Sequence, residues 1–138
     1  MTYLLDTCVV SELTKPGPEK KVLQWFARCD EDLLHISCLS LGEISFGLDM
    51  IPDGRKKNDL LDWYNDFIES FHDSVLPVTE SISLRWGKER ARHRKKGIQI
   101  PVIDGLIACT AIEYNCILVT RNTCDYEMMN VQLLNPWL

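Results

Sequence analysis

Short, almost wholly apolar runs alternate with longer segments of helical periodicity along most of this chain. Tyr3-Leu4-Leu5 is the first run, too short for a buried helix and suited to an interior strand. Asp6-Thr7 closes it, and Cys8 to Leu13 reads as the opening of a helix. Lys15-Pro16-Gly17-Pro18 breaks the pattern before a short amphipathic helix through Val22, Leu23, Trp25, Phe26 and Cys29. Leu33 to Ile36 is a second strand-length run. Ser40 to Met50 then carries Leu41, Ile44, Leu48 and Ile51 on one helical stripe. Beyond the turn Pro52-Asp53-Gly54, apolar positions 60, 64, 67, 68 and 71 mark a long amphipathic helix. Ser74 to Val78 is a third strand, and Thr79 or Ser81 caps a basic helix that Gly97 ends. Gly105 to Tyr114 reads as a helix buried on most sides, with Asn115 as its stop. Cys116 to Val119 is the fourth strand, Asn122 to Asp125 opens a helical turn, and Val131 to Leu134 is the last strand.

Strands this short and this apolar are buried on both faces, the habit of a parallel sheet covered by crossover helices. The pattern therefore predicts an α/β fold, a three-layer α/β/α domain around a mostly parallel sheet of about five strands. At 138 residues the chain is expected to form one domain over 1–138, with little room for a second unit.

With 46% hydrophobic and 25% charged residues the composition is globular, and it excludes a disordered or low-complexity chain. No apolar run approaches the length of a membrane span, and no charged segment leads into an apolar leader. A cytoplasmic protein with no membrane partner is expected, its six cysteines reduced. They form no C-x-x-C pair, so neither a zinc nor a disulfide scaffold is indicated.

A net charge of −5 does not by itself favour nucleic acid, but seven of the fifteen basic residues fall between Arg85 and Lys96. On a helix, Arg85, Lys88, Arg92 and Lys95 share one stripe, a candidate phosphate track whose plain alternative is a solvated face.

Four acids share one expected address. Asp6 follows the first strand, Glu43 lies in the first turn of the helix after the second, Asp104 precedes the buried helix, and Asp125 follows the fourth strand. Parallel strands joined by right-handed crossovers end along one edge, where such sheets hold their ligands. Each acid also has a structural explanation: Asp6 and Asp104 as helix caps, Ser40-Leu41-Gly42-Glu43 as a capping box, Asn122 with Asp125 as a capped turn. Against these, Glu43 and Asp104 stand among Leu39, Leu41, Ile44, Ile103, Leu106 and Ile107, so both are expected to be nearly buried. Arg121 is the only cation near the motifs. Buried, clustered carboxylates are costly unless a cation joins them, and oxygen ligands suit Mg2+ or Mn2+.

Read together, Tyr3-Leu4-Leu5-Asp6-Thr7, Leu41-Gly42-Glu43-Ile44, Asp104-Gly105-Leu106-Ile107-Ala108-Cys109-Thr110-Ala111 and Leu118-Val119-Thr120-Arg121-Asn122-Thr123-Cys124-Asp125-Tyr126 resemble the motifs of PIN-domain ribonucleases, in particular the VapC-type toxins of bacterial toxin–antitoxin pairs. The resemblance spans the whole chain. It implies an endoribonuclease, dependent on Mg2+ or Mn2+, that cuts single-stranded regions of RNA. Asp6, Glu43, Asp104 and Asp125 would be metal ligands or their supports, with Thr7 and Thr120 orienting waters or carboxylates. It further implies a homodimer and a small cognate VapB-like antitoxin that occupies the active-site groove. Two positions depart from the family pattern. Cys8 stands where asparagine is common, and Gly105 replaces a more usual alanine, loosening that helix by up to ~1 kcal/mol. The alternative is a catalytically weak RNA- or partner-binding module on the same scaffold. A phospho-receiver or an aspartyl phosphatase is disfavoured, because Thr7 and Cys8 follow Asp6 where a further acid is needed.

Overall fold

The computed structural model describes residues 1–138. Its first strand, β1 (Thr2–Leu5), occupies the middle of a five-stranded sheet in which every pairing is parallel. On one side β1 pairs with β2 (Leu34–Ser37), which pairs with β3 (Val75–Leu76). On the other it pairs with β4 (Cys116–Val119), which pairs with β5 (Leu133–Leu134). The spatial order is β3-β2-β1-β4-β5. The chain therefore builds outwards from β1 in one direction, then returns to its other side, and the growth of the sheet reverses between β1 and β4. Sheets of this kind open a crevice outside the carboxyl ends of the strands at that reversal.

Period-two alternation sends neighbouring strand residues to opposite layers. Leu5, Ile36 and Val119 pack with Val9, Val10, Val22, Ile44, Leu48, Tyr64 and Phe71. That layer is made by α1 (Thr7–Leu13), α2 (Lys20–Arg28), α3 (Cys38–Asp49) and α4 (Arg55–Ser70). Leu4 and Leu118 point the other way, into Ile82, Ile107, Ala108, Cys109, Ala111, Tyr126 and Met129. These belong to α5 (Glu80–Lys95), α6 (Val102–Glu113), α7 (Thr123–Tyr126) and the segment after it. The expected three layers and five strands are present, with no antiparallel member.

Local boundaries differ from expectation in ways that bear on the site. Ser37, not Ser40, caps α3 by accepting a hydrogen bond from the Leu39 amide, at 3.1 Å. The Ser40–Glu43 capping box does not form, and Glu43 lies in the second turn of α3. The helix α6 starts at Val102 with Pro101 as its cap, which puts Asp104 inside the first turn. Thr79 caps α5 through the Ile82 amide, at 3.2 Å. Gly97 (φ 78°) and Asn115 (φ 54°) take the left-handed backbone that ends α5 and α6.

Because Leu118 is wholly buried in the central pair of strands, Leu118→Ala should lower unfolding free energy by about 2–5 kcal/mol in urea denaturation. The same truncation at exposed Leu84 should stay within about 0.5 kcal/mol of the parent.

Candidate active site

Asp6 and Thr120 are the first residues past the ends of β1 and β4, at the reversal of the sheet. The Asp6 amide still donates to Val119 O (2.9 Å), so the ladder holds the residue in place up to the point where the strands part. Its backbone is extended, and its Oδ1 accepts from the Thr7 amide at 2.8 Å, which caps α1. Its Oδ2 turns inwards and accepts from Thr120 Oγ1 (2.9 Å) and from the Tyr126 hydroxyl (3.2 Å). Capping and site roles are thus divided between the two oxygens of one side chain.

Asp6 is only 7% exposed, yet no ion pair in the chain engages it. Neutral donors alone satisfy it, as a buried carboxylate requires. The Cys8 thiol lies 3.9 Å from Asp6 Oδ2 and 3.6 Å from Thr120 Oγ1. Burial, then the Asp6 charge, pushes its pKa up, so Cys8 stays a neutral, weak donor there.

Tyr126 is 1% exposed and stands between two acids. Besides Asp6, its hydroxyl lies 3.5 Å from Asp104 Oδ1, so its single hydrogen is shared between the two carboxylates. Burial and the charges of Asp6 and Asp104 hold the phenol far above its ordinary range, so it keeps its proton. Asp104 is half-buried, and its carboxyl is raised by burial first, then by Asp6, Asp125 and Glu43, with only the Tyr126 hydrogen bond opposing. Asp6, Asp125 and Glu43 are therefore each within electrostatic reach of Asp104, at the start of α6.

Glu43 and Asp125 are exposed. Glu43 Oε1 accepts from Thr7 Oγ1 at 2.7 Å, which ties α3 to the start of α1. The expectation that Glu43 is nearly buried fails, and Asp104 is only half-buried; Asp6 is the deeply buried acid. With α3 starting at Cys38, Glu43 falls on the side of the helix that carries exposed Gly42 and Phe46. Arg121 is no partner for the cluster, since its guanidinium lies over the Trp137 ring, 5.5 Å from the centroid.

The donor set is chemically that of a hard divalent cation: carboxylate oxygens without a neighbouring lysine or arginine, one with its pKa raised by burial and by the other acids. No three of the acidic, histidine or cysteine side chains are closed into a preformed ligand set. Glu43 and Asp125, being exposed, are the members with room to turn inwards.

Among the residues expected from sequence, Thr7 touches Glu43, while Thr120 is buried against Asp6 and its Oγ1 also accepts from the Asn122 amide at 3.0 Å. Tyr126 closes the last of the family motifs, but no role in the site was expected of it. Its signal was present, a hydroxyl-bearing aromatic directly after the last acid, but nothing local shows that its ring turns into the core. Arg85, Lys88, Arg92 and Lys95 are all exposed on α5. Two of these cations are already paired, Arg85 with Glu113 (2.9 Å) and Arg92 with Glu89 (2.5 Å).

A parallel sheet that gathers acids at its central reversal defines a class, and the comparison with known proteins names it. Residues 3–124 match the PIN domain, and the chain belongs to the PIN-domain family. It is similar to Toxin FitB of Neisseria gonorrhoeae, 30% identical over 135 residues and 97% of both chains. It is equally similar to the VapC ribonuclease Y4jK of Sinorhizobium fredii, 30% identical over 97% of this chain and 96% of the relative. The solved structure of FitAB bound to an IR36 DNA fragment superposes with a TM-score of 0.93 at 28% identity, covering 99% of this chain and 96% of that one.

Two outcomes test this arrangement. Tyr126→Phe keeps the ring but leaves buried Asp6 with one donor fewer, and should cost about 1–3 kcal/mol in urea unfolding. The folded protein holds the Asp104 proton more tightly than the unfolded chain does. Its contribution to stability is therefore complete in acid and lost as pH rises through the raised value. In EDTA, Asp104→Asn should thus melt above the parent at neutral pH, the difference vanishing below about pH 4. A lower melting temperature at neutral pH would make Asp104 a helix-stabilising group instead.

Proposed function

We propose that this protein is the endoribonuclease toxin of a toxin–antitoxin pair, dependent on Mg2+ or Mn2+ and cutting single-stranded regions of RNA in the cytoplasm. The observation that carries the reading is the four-acid edge at the reversal of the sheet, with no cation beside it. Near full-length similarity to a VapC ribonuclease and to Toxin FitB supports it. A homodimer held in check by a small VapB-like antitoxin is the assembly that goes with this reading. No helix is long and apolar enough to cross a membrane.

Asp6, Glu43, Asp104 and Asp125 are the residues to hold the ion. When bound, a divalent cation supplies the Lewis acidity and activated water that phosphodiester hydrolysis needs. The chain's own part is positioning. Thr120 and Tyr126 aim one oxygen of Asp6 inwards, the Thr7 amide holds the other, and the Thr7 hydroxyl restrains Glu43. Such outer partners keep carboxylates from turning away and commonly matter tenfold to a hundredfold.

The complete satisfaction of Asp6 by neutral donors, with no closed ligand set, favours a second reading: a binding module that retains the acids for folding. One set of measurements separates the two. Mn2+ should raise the melting temperature of the parent, by about 2.7 kcal/mol of added stability at a hundred times its Kd. RNA cleavage by the parent should be abolished by EDTA. Asp6→Asn keeps an oxygen for the Thr7 amide, so it should fold while losing cleavage by more than about a hundredfold. Cleavage that survives EDTA, or that Asp6→Asn leaves unchanged, would overturn the nuclease reading.

A further inference from the structure

The acidic edge repels the substrate assigned to it. Phosphates approaching Asp6, Glu43, Asp104 and Asp125 meet no paired or neighbouring cation within the cluster, so positive charge has to come from alongside. The helix α5 carries that charge on two different flanks.

It runs antiparallel to α6. Ser81 and Arg85 near its start reach Glu113 at the end of α6, while its own end turns through residues 96–101 to the start of α6, beside Asp104. The flank bearing Arg85 and Lys88 lines a cleft that also contains Glu89 and Glu113, and those acids bind Arg92 and Arg85. The opposite flank is different. Arg90 and Arg94, one helical turn apart, line a cleft of about 320 Å³ with Ile98, Gln99, Ile100, Pro101 and Val102, and no acid lines it. Neither arginine is in an ion pair.

This cleft reaches the first turn of α6, the turn that carries Asp104. The Arg90 guanidinium sits over the Trp86 ring, 5.2 Å from the centroid. The same ring lies so close to Gly105 that an added Cβ would meet it at 3.1 Å. Gly105 follows Asp104, and Val102 on the cleft wall precedes it by two residues. The glycine is therefore what lets Trp86, and the arginine stacked on it, approach the first turn of α6.

We infer that the Arg90–Arg94 cleft is the phosphate-binding track that leads single-stranded RNA to the acidic edge, in place of the stripe Arg85, Lys88, Arg92 and Lys95. The inference rests on the ribonuclease reading. Two uncompensated guanidinium groups match two successive phosphates, each able to grip two oxygens at once.

The test is fluorescence anisotropy of a short fluorescein-labelled single-stranded RNA in EDTA across a KCl series, where no turnover is required. Arg90→Gln with Arg94→Gln should raise Kd about tenfold or more and reduce the slope of log affinity against log salt by about 1.4, the share of two phosphates. Lys88→Gln with Lys95→Gln removes two cations that are also unpaired and should leave Kd within about twofold. Arg90→Lys with Arg94→Lys should keep the slope while weakening binding, because the charge remains and the fork is lost. Equal losses in the two glutamine pairs, or an unchanged Kd in the arginine pair, would overturn the assignment. So would a changed sedimentation coefficient with RNA affinity intact, which would make the cleft a protein contact. The Mn2+-induced rise in melting temperature, recorded on the same variants, should be unaltered. It reports the acids alone, so a failed nuclease reading and a failed RNA track give different results.

Discussion

One carboxylate, buried without a counter-ion, is the constraint on which this structure turns. Asp6 stands at the end of the central strand, and its two oxygens are met by the adjacent start of α1 and by donors from two segments remote in sequence, the end of β4 and the end of α7. Removing a charge from water is tolerable only when such donors are already in place. The strand order supplies them. Because β4 lies against β1, Thr120 arrives beside Asp6, and because α7 packs under the same edge, the Tyr126 hydroxyl closes over it.

That arrangement gives Asp6 a double duty. Its outer oxygen starts a helix, so the residue contributes to folding whatever else it does. Its inner oxygen is held toward Asp104 by a phenol that cannot release its proton in so acidic a setting. Tyr126 thus acts as a neutral spacer between two like charges, and Cys8 as a neutral filler behind them. Burial, and after it repulsion from the other acids, still shows in the raised pKa of Asp104. The protein keeps the cluster despite that cost, the usual mark of a site built for a ligand rather than for stability.

The rest of the charge is distributed in keeping with this. On one flank of α5 the arginines are answered by Glu89 and Glu113; on the other, Arg90 and Arg94 are unanswered and stand over a cleft whose wall runs to Val102, the first residue of α6. A net negative chain can thus present a local basic track next to its acidic centre. The closeness of the two depends on a single missing side chain. Gly105, which in isolation looks like a weakened helix, is the position where Trp86 packs.

Much of this was legible from residues alone. Four-residue apolar runs between amphipathic segments can bury both faces only in a parallel sheet, so strand count, layers and the shared edge of Asp6, Glu43, Asp104 and Asp125 followed from periodicity. The order of neighbours, and which acid is deeply buried, did not. Ser37 and Ser40 are equally good caps on paper. The choice of Ser37 moves Glu43 one turn on and out to solvent, and it is decided by where β2 ends against β1. The inward turn of Tyr126 and the pairing of Arg85 depend on side chains 120 and 28 positions away, while the pairing of Arg92 with Glu89 and the bareness of Arg90 and Arg94 separate helix flanks that pattern does not tell apart. Periodicity is a local property and settled the elements; burial and charge compensation are properties of neighbours in space, and only the folded chain settled those.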